Sequence, residues 1–325
     1  MSSSNTSTLT YIGQQITVYV GFITVITGVL GNLFNIIVFL SLKTFRESTS
    51  GFYLIVISFV NIGQLLFGLI SRIMIYGFLI DWNAMSIVFC KMRLPIATIC
   101  SLISYTCLCL ATIDQYLATS INPRWQQWSN MRTAYYLTII FSLFWILHTI
   151  PYSVFSIHVT SLVTGAVTCI ITNNTLLQYR NYFATLFLSG YIPDFITLLF
   201  GILAYRNINQ IAYRTIPLVR RELDKQLTVM VLVQVIINLI TNIPTVTISA
   251  VVFATSNIKN TTTSDIIQFL STVTTVIFYT YYASSFYIYM CVSERFRRQF
   301  IYVLFEVHLQ RRRQRLTVNN QIAPA

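Results

Sequence analysis

The stretch TVYVGFITVITGVLGNLFNIIVFLSLK, residues 17–43, carries no charged side chain before its final lysine. A bilayer core about 30 Å thick requires roughly 20 apolar residues in a helix, because a helix satisfies every backbone N–H and C=O inside one segment. Six more apolar runs follow, at 51–79, 87–113, 133–157, 182–205, 227–254 and 266–291. Membrane β-strands would be only about 10 residues long and would alternate in polarity; these runs do neither. The 325 residues are 55% hydrophobic and 9% charged, with a mean hydropathy of +0.67. A water-facing globule carries about 25% charged residues, so lipid is the expected solvent and partner. The expected fold is an all-α membrane protein, a seven-transmembrane helix bundle.

The net charge of +12 could suggest nucleic acid, but the basic residues fall in short segments between the runs, which reads as membrane orientation. Lys91, Arg93, Arg180 and Lys259 fall on one side. Lys43, Arg46, Arg124, Arg132, Arg206, Arg214, Arg220, Arg221, Lys225 and the seven basic residues after the last run fall on the other. That imbalance predicts an extracellular N-terminus and a cytoplasmic C-terminus. The sequons at Asn5, Asn173 and Asn260 share the extracellular side and are glycosylation candidates. No basic segment and cleavage site precede the first run, so that run is expected to insert as its own signal. The organisation read from this is an N-terminal segment 1–16, a seven-span domain 17–291, an amphipathic helix 292–308 and a polar tail 309–325.

Of the six cysteines, only Cys90 and Cys169 fall on the oxidising side. A disulfide between them would tie the loop after the fourth run to the start of the third. Cys100, Cys107, Cys109 and Cys291 read as packing residues.

In order and spacing, the residues from about 20 to 305 resemble the rhodopsin-like (class A) G-protein-coupled receptors. Gly31-Asn32 stands where that family has Gly-Asn, and Asn61 where its second helix has Asp. Asp114-Gln115-Tyr116 stands at Asp-Arg-Tyr, and the 25-residue interval from Cys90 to Gln115 is the family's. Trp145, Pro193 and Pro244 match the landmarks of helices four, five and six, and Ser285-Phe286-Tyr287-Ile288-Tyr289 stands at Asn-Pro-x-x-Tyr. The short loops and this ending are most similar to invertebrate FMRFamide-like and other neuropeptide receptors. The resemblance implies a plasma-membrane receptor for an extracellular ligand, a peptide, which signals to a heterotrimeric G protein and engages arrestin, with no cofactor. A chemosensory receptor of the same fold stays open, as does a seven-span transporter or channel. Ala97 stands at the Asp of amine receptors and Tyr279 at the retinal-linking Lys of opsins, which argues against both classes.

By position, Arg72 and Trp82 join Ala97 as ligand-site candidates. Eleven steps of a straight helix separate Asn61 from Arg72, about three turns and 20°, so both should share a face, which the resemblance implies is inward. Arg72 then either binds an anionic or carbonyl group of a ligand or pairs with Asp81 or loop carbonyls. The resemblance, through the family's packing of helices three, five and six, implies that Asp194 lies near Tyr105 and Asn238. Asn238 and Asn242 replace aromatic residues that the family has at its sixth-helix switch. Asn32, Asn61, Ser104 and Ser285 occupy an inner network that in relatives binds sodium; without the Asp, sodium regulation is expected to be weak. Asp114, Gln115, Tyr116, Asn242, Pro244 and Tyr289 are the coupling and switch candidates. Gln115 cannot make the family's Asp-Arg ion pair, so a looser inactive state is expected.

The histidines His148, His158 and His308 show no metal-ligand spacing, and neither a nucleophile–base pair nor a phosphate loop is present, so no enzyme is expected. Phe296, Phe300, Leu304 and Val307 recur at helical intervals and suit an interfacial apolar stripe. RRRQR at 311–315 suits an anionic membrane surface.

Overall fold

A computed structural model describes the backbone of residues 2–160, 167–211, 218–255 and 261–306, and side chains at 8–160, 167–208, 225–255 and 263–305. Asn5, Lys259, Asn260, Arg214, Arg220, Arg221, Val307, His308, the run 311–315 and the tail 309–325 lie outside the described side chains.

Seven helices are long and apolar enough to span a membrane: α1 (Thr8–Ser41), α2 (Thr49–Gly77), α3 (Ile87–Thr119), α4 (Met131–Phe155), α5 (Asn174–Ile208), α6 (Lys225–Thr255) and α7 (Thr263–Val292). A shorter helix, α8 (Glu294–Ile301), follows α7. Local chemistry sets several of the starts. Side chains of Ser48, Asn130, Asn173 and Ser293 accept hydrogen bonds from the amides of Gly51, Thr133, Leu176 and Phe296, which the first helical turn leaves without partners. Asn173 therefore serves as an N-cap as well as a sequon, and its helix begins eight residues earlier than the apolar run at 182 suggests. The helix that includes α1 begins at Ser2, a region with no proline to stop it, so the segment 1–16 is helical from its second residue, and Thr17 donates back to the Gly13 carbonyl at 2.8 Å.

Helix-breaking residues inside the spans are compensated by neighbours. Pro95 offers no N–H to the carbonyl of Lys91, and Ser153 of α4 donates to that carbonyl at 2.9 Å. Pro193 likewise frees the carbonyl of Ser189, which Asn242 of α6 fills at 3.2 Å. Beside it, Gly190 leaves helical geometry with φ −115° and ψ −105°, ending a π-helical stretch Tyr179–Tyr191. In α2, π-helical turns at Gln64–Leu69 and Ile73–Gly77 flank Arg72. A π turn takes up more residues than an α turn, so the straight-helix count from Asn61 to Arg72 does not apply.

α1 lies against α7 where Gly28 permits it: a Cβ there would meet Ala283 Cβ at 2.8 Å and Leu65 Cδ1 at 2.6 Å. α4 buries only Ala134, Trp145, Thr149 and Tyr152 and exposes Ile139, Ile140, Leu143 and Leu147, a lipid-facing pattern. At one end of the bundle an antiparallel hairpin, β1 (Ser156–Thr160) and β2 (Val167–Ile171), pairs His158 with Cys169 in register. Cys90 and Cys169 form a disulfide with 5.8 Å between Cα atoms, fixing the hairpin to the start of α3. This is the disulfide end; Asp114 marks the other. Within the expected interfacial stripe, Phe300 and Leu304 are half-buried and Phe296 packs into the bundle. Phe296 is fully buried against Phe39, Phe286 and Tyr289, and Phe300 packs on Phe34 and Phe286, because the chain turns at Ser293 beneath α1 and α7.

Candidate functional site

At the disulfide end a cavity of about 460 Å³ opens between α1, α2, α6 and α7. Gln14, Thr17, Arg72, Tyr76, Val252, Asp265, Gln268 and Phe269 are among its lining residues. The Arg72 guanidinium lies 4.8 Å from the Tyr76 ring centroid, a cation–π distance, and its buried Nε has no hydrogen-bond partner among the described residues. Pairing with Asp81 is not seen: Asp81 instead caps the short turn Trp82–Met85 by accepting from the Asn83 amide at 2.9 Å. Trp82 and Ala97 do not line this cavity; Trp82 packs edge-on against Phe89. Tyr279, at the position expected to exclude a Schiff base, is buried within electrostatic reach of Arg72 and Arg93.

At mid-bundle, Asp194 accepts from Asn238 Nδ2 at 2.7 Å and from Asn242 Nδ2 at 3.1 Å. Tyr105 meets Asp194 only through Asn242, to which it donates at 3.5 Å. Tyr282 donates to the Tyr105 hydroxyl at 3.3 Å and shares a 2.8 Å hydrogen bond with Ser101. The result is a buried path from α5 through α6 and α3 to α7.

The inner polar residues form two pairs rather than one network. Ser285 donates to Asn32 at 3.2 Å and accepts from Asn35 at 2.9 Å, while Asn32 also donates to the carbonyls of Gly28 and Tyr282, each at 2.8 Å. Separately, Ser104 donates to Asn61 at 2.8 Å. Among the described residues no group of three His, Cys, Asp or Glu is placed to hold a metal.

The opposite end is organised by Asp114, which is 7% exposed. It accepts from Thr49 and Ser50 at 2.7 Å each and from Ser129 at 2.6 Å. Thr49 and Ser50 open α2, and Ser129 lies in the α3–α4 connection, so a single carboxylate draws three segments together. Gln115, 3% exposed, donates to Ser50 and accepts from Thr228 of α6. These hydrogen bonds form a neutral clasp joining α2, α3 and α6. Tyr116 turns away, packing on Trp125 and Phe200. Tyr289 is fully buried among Phe39 and Phe296, its hydroxyl without a partner among the described residues. Pro244 faces outward on α6, two residues beyond Asn242.

Several participants carry no signal in the sequence. Thr49, Ser50, Ser129 and Thr228 are ordinary hydroxyl residues whose role follows from convergence on Asp114-Gln115. Arg93 and Arg180 read as flanking charges. Tyr282 is one of twenty tyrosines. Compared with known proteins, the chain matches no family model and no curated protein.

Proposed function

We propose that the protein is a multi-pass plasma-membrane receptor with its N-terminus outside. It binds an extracellular ligand, a peptide in keeping with the resemblance, at the disulfide end and signals to a heterotrimeric G protein at the Asp114 end. The observation that supports this reading is the clasp at Gln115. A hydrogen bond from α6 to α3 lies at the end opposite a ligand-sized cavity, and the buried Asp194 path lies between them. Opening that clasp would free the end of α6, with Pro244 as the pivot, and admit a partner protein.

The chemistry of the clasp sets its strength. Neutral hydrogen bonds contribute about 0.5–1.5 kcal/mol each, whereas those to a charged group contribute about 1.5–3 kcal/mol. A Gln115–Thr228 bond therefore biases the closed arrangement only modestly, and basal activity follows. A ligand moves the equilibrium only by binding the open arrangement more tightly. Driving it from 1:99 to 99:1 takes about 5.5 kcal/mol of differential affinity.

The test is GTP loading of a promiscuous heterotrimeric G protein by the full chain in lipid nanodiscs, screened against a peptide library. Ligand-dependent loading is expected, with measurable loading before ligand. Gln115→Arg, which places a cation beside Asp114, should lower the basal level. Substrate flux or ion current with no G-protein response would overturn the reading in favour of a transporter or channel. Unchanged basal and stimulated loading in Gln115→Arg would show that the clasp plays no part.

A further inference from the structure

Two charged side chains of opposite sign line the disulfide-end cavity, Arg72 from α2 and Asp265 from α7. The ion pairs among the described residues are Lys43–Glu47 and Arg298–Glu294, so these two pair neither with each other nor with a third charge. Each is held by its own surroundings instead. Arg72 is half-buried, with its guanidinium 4.8 Å from the Tyr76 ring centroid and its Nε without a hydrogen-bond partner among the described residues. Asp265 is half-buried in the first turns of the helix that includes α7, which begins at Thr261. A negative side chain suits the positive end of a helix dipole. That effect accounts for a carboxylate near the helix start, but not for its lining a cavity that also holds an arginine.

The cavity they share, about 460 Å³, lies in the range of ligand sites, about 300–1,000 Å³. Gln14 of α1 and Gln268 of α7 line it with carboxamides, which both donate and accept and so match peptide groups. Leu79, Val252 and Phe269 supply apolar wall. Gln14 takes part because the helix that includes α1 starts at Ser2, which makes the N-terminal segment one side of the site. A simple anion drawn to Arg72 would be repelled by Asp265, and a simple cation drawn to Asp265 would be repelled by Arg72. A ligand that carries a cation at one point and a carbonyl oxygen at another satisfies both walls through charge-assisted hydrogen bonds.

We infer that this cavity binds a peptide segment whose basic side chain is held by Asp265 and whose carbonyl oxygen, of an amide or a carboxylate, is held by Arg72. This rests on the receptor reading above and narrows its ligand to peptides with a basic residue, with amidated and free-acid ends both accepted.

The experiment measures binding alone, without a G protein, so a failed receptor reading leaves its result standing. The full chain in phosphatidylcholine nanodiscs is screened by thermal shift against acetylated tripeptide amides containing arginine. The same sequences with citrulline, of like shape but uncharged, and with glutamate serve as comparisons. Stabilisation by arginine members and not by their citrulline or glutamate counterparts is expected. Asp265→Asn should weaken the best arginine member about tenfold or more, since it removes a charge-assisted hydrogen bond. The free acid of that member should bind the unmodified chain more tightly than its amide, and Arg72→Gln should abolish the difference. If the variants do not fold, the unmodified chain still decides the matter: a tenfold rise in salt should weaken binding of the arginine member by screening. Equal binding of the citrulline members, preference for glutamate, salt-independent binding, or no binding by any member overturns the proposal. So does unchanged affinity in Asp265→Asn, equal binding of free acid and amide by the unmodified chain, or a free-acid preference that persists in Arg72→Gln.

Discussion

Asp194 and Asn238 should be energetically coupled, and a double-mutant cycle measures by how much. Asn238 Nδ2 donates to Asp194 at 2.7 Å, the shorter of the two bonds the carboxylate accepts. In water-soluble proteins a hydrogen bond to a charged group contributes about 1.5–3 kcal/mol. Within membranes, such cycles average about 0.6 kcal/mol and reach about 1.7 kcal/mol, because the unfolded state in lipid also finds partners. The lower scale governs here. Asn242 keeps its own bond to the other carboxylate oxygen when Asn238 is removed, which further limits the loss. Asn238 Oδ1 has no partner among the described residues, so Asn238→Leu also removes a buried unpaired acceptor and costs less than the bond alone. The expected coupling between Asp194→Ala and Asn238→Leu is about 1 kcal/mol, roughly a fivefold effect on the unfolding equilibrium. The assay is reversible unfolding of the purified chain in micelles of rising SDS fraction, for the unmodified chain, both single variants and the double. Additivity to within about 0.3 kcal/mol would refute the pairing. Asn242→Leu should cost more than Asn238→Leu, because Asn242 also serves the Ser189 carbonyl and the Tyr105 hydroxyl.

Two other substitutions isolate single features. Gln234 of α6 is fully buried, and neither its amide nitrogen nor its oxygen has a partner among the described residues. Gln234→Met, similar in shape and apolar, should therefore raise the unfolding free energy by about 1–3 kcal/mol, and a lower value would count against that account. Ser153→Ala should destabilise by about 1 kcal/mol by leaving the Lys91 carbonyl without a donor. The same change in a Pro95→Ala background should cost nearly nothing, since residue 95 then supplies its own N–H; an equal cost in both backgrounds would show that Ser153 acts some other way.

Hydrophobicity alone determined the seven spans, because lipid requires each crossing segment to be apolar and internally hydrogen-bonded. The structure moves their ends and adds turns but does not change their number. The cysteine pair was equally legible, since only two thiols fell on one side of the membrane. So was the partnership of Asp194 with Asn238, on the ground that the resembled family packs those parts of helices three, five and six together. What remained hidden depends on through-space convergence. Arg93 and Arg180 counted as charges flanking apolar runs, yet α5 begins at Asn174 and takes Arg180 into its π-helical stretch, while Arg93 of α3 donates to Ser71 of α2 at 2.7 Å. The same holds at Asp114, where the sequence showed an ion pair missing. Only the packing of α2 against α3 and α6 placed Ser50 and Thr228 on Gln115 and supplied neutral bonds in its stead. A bilayer dictates composition residue by residue, but which polar groups meet inside the bundle is decided by how the helices pack.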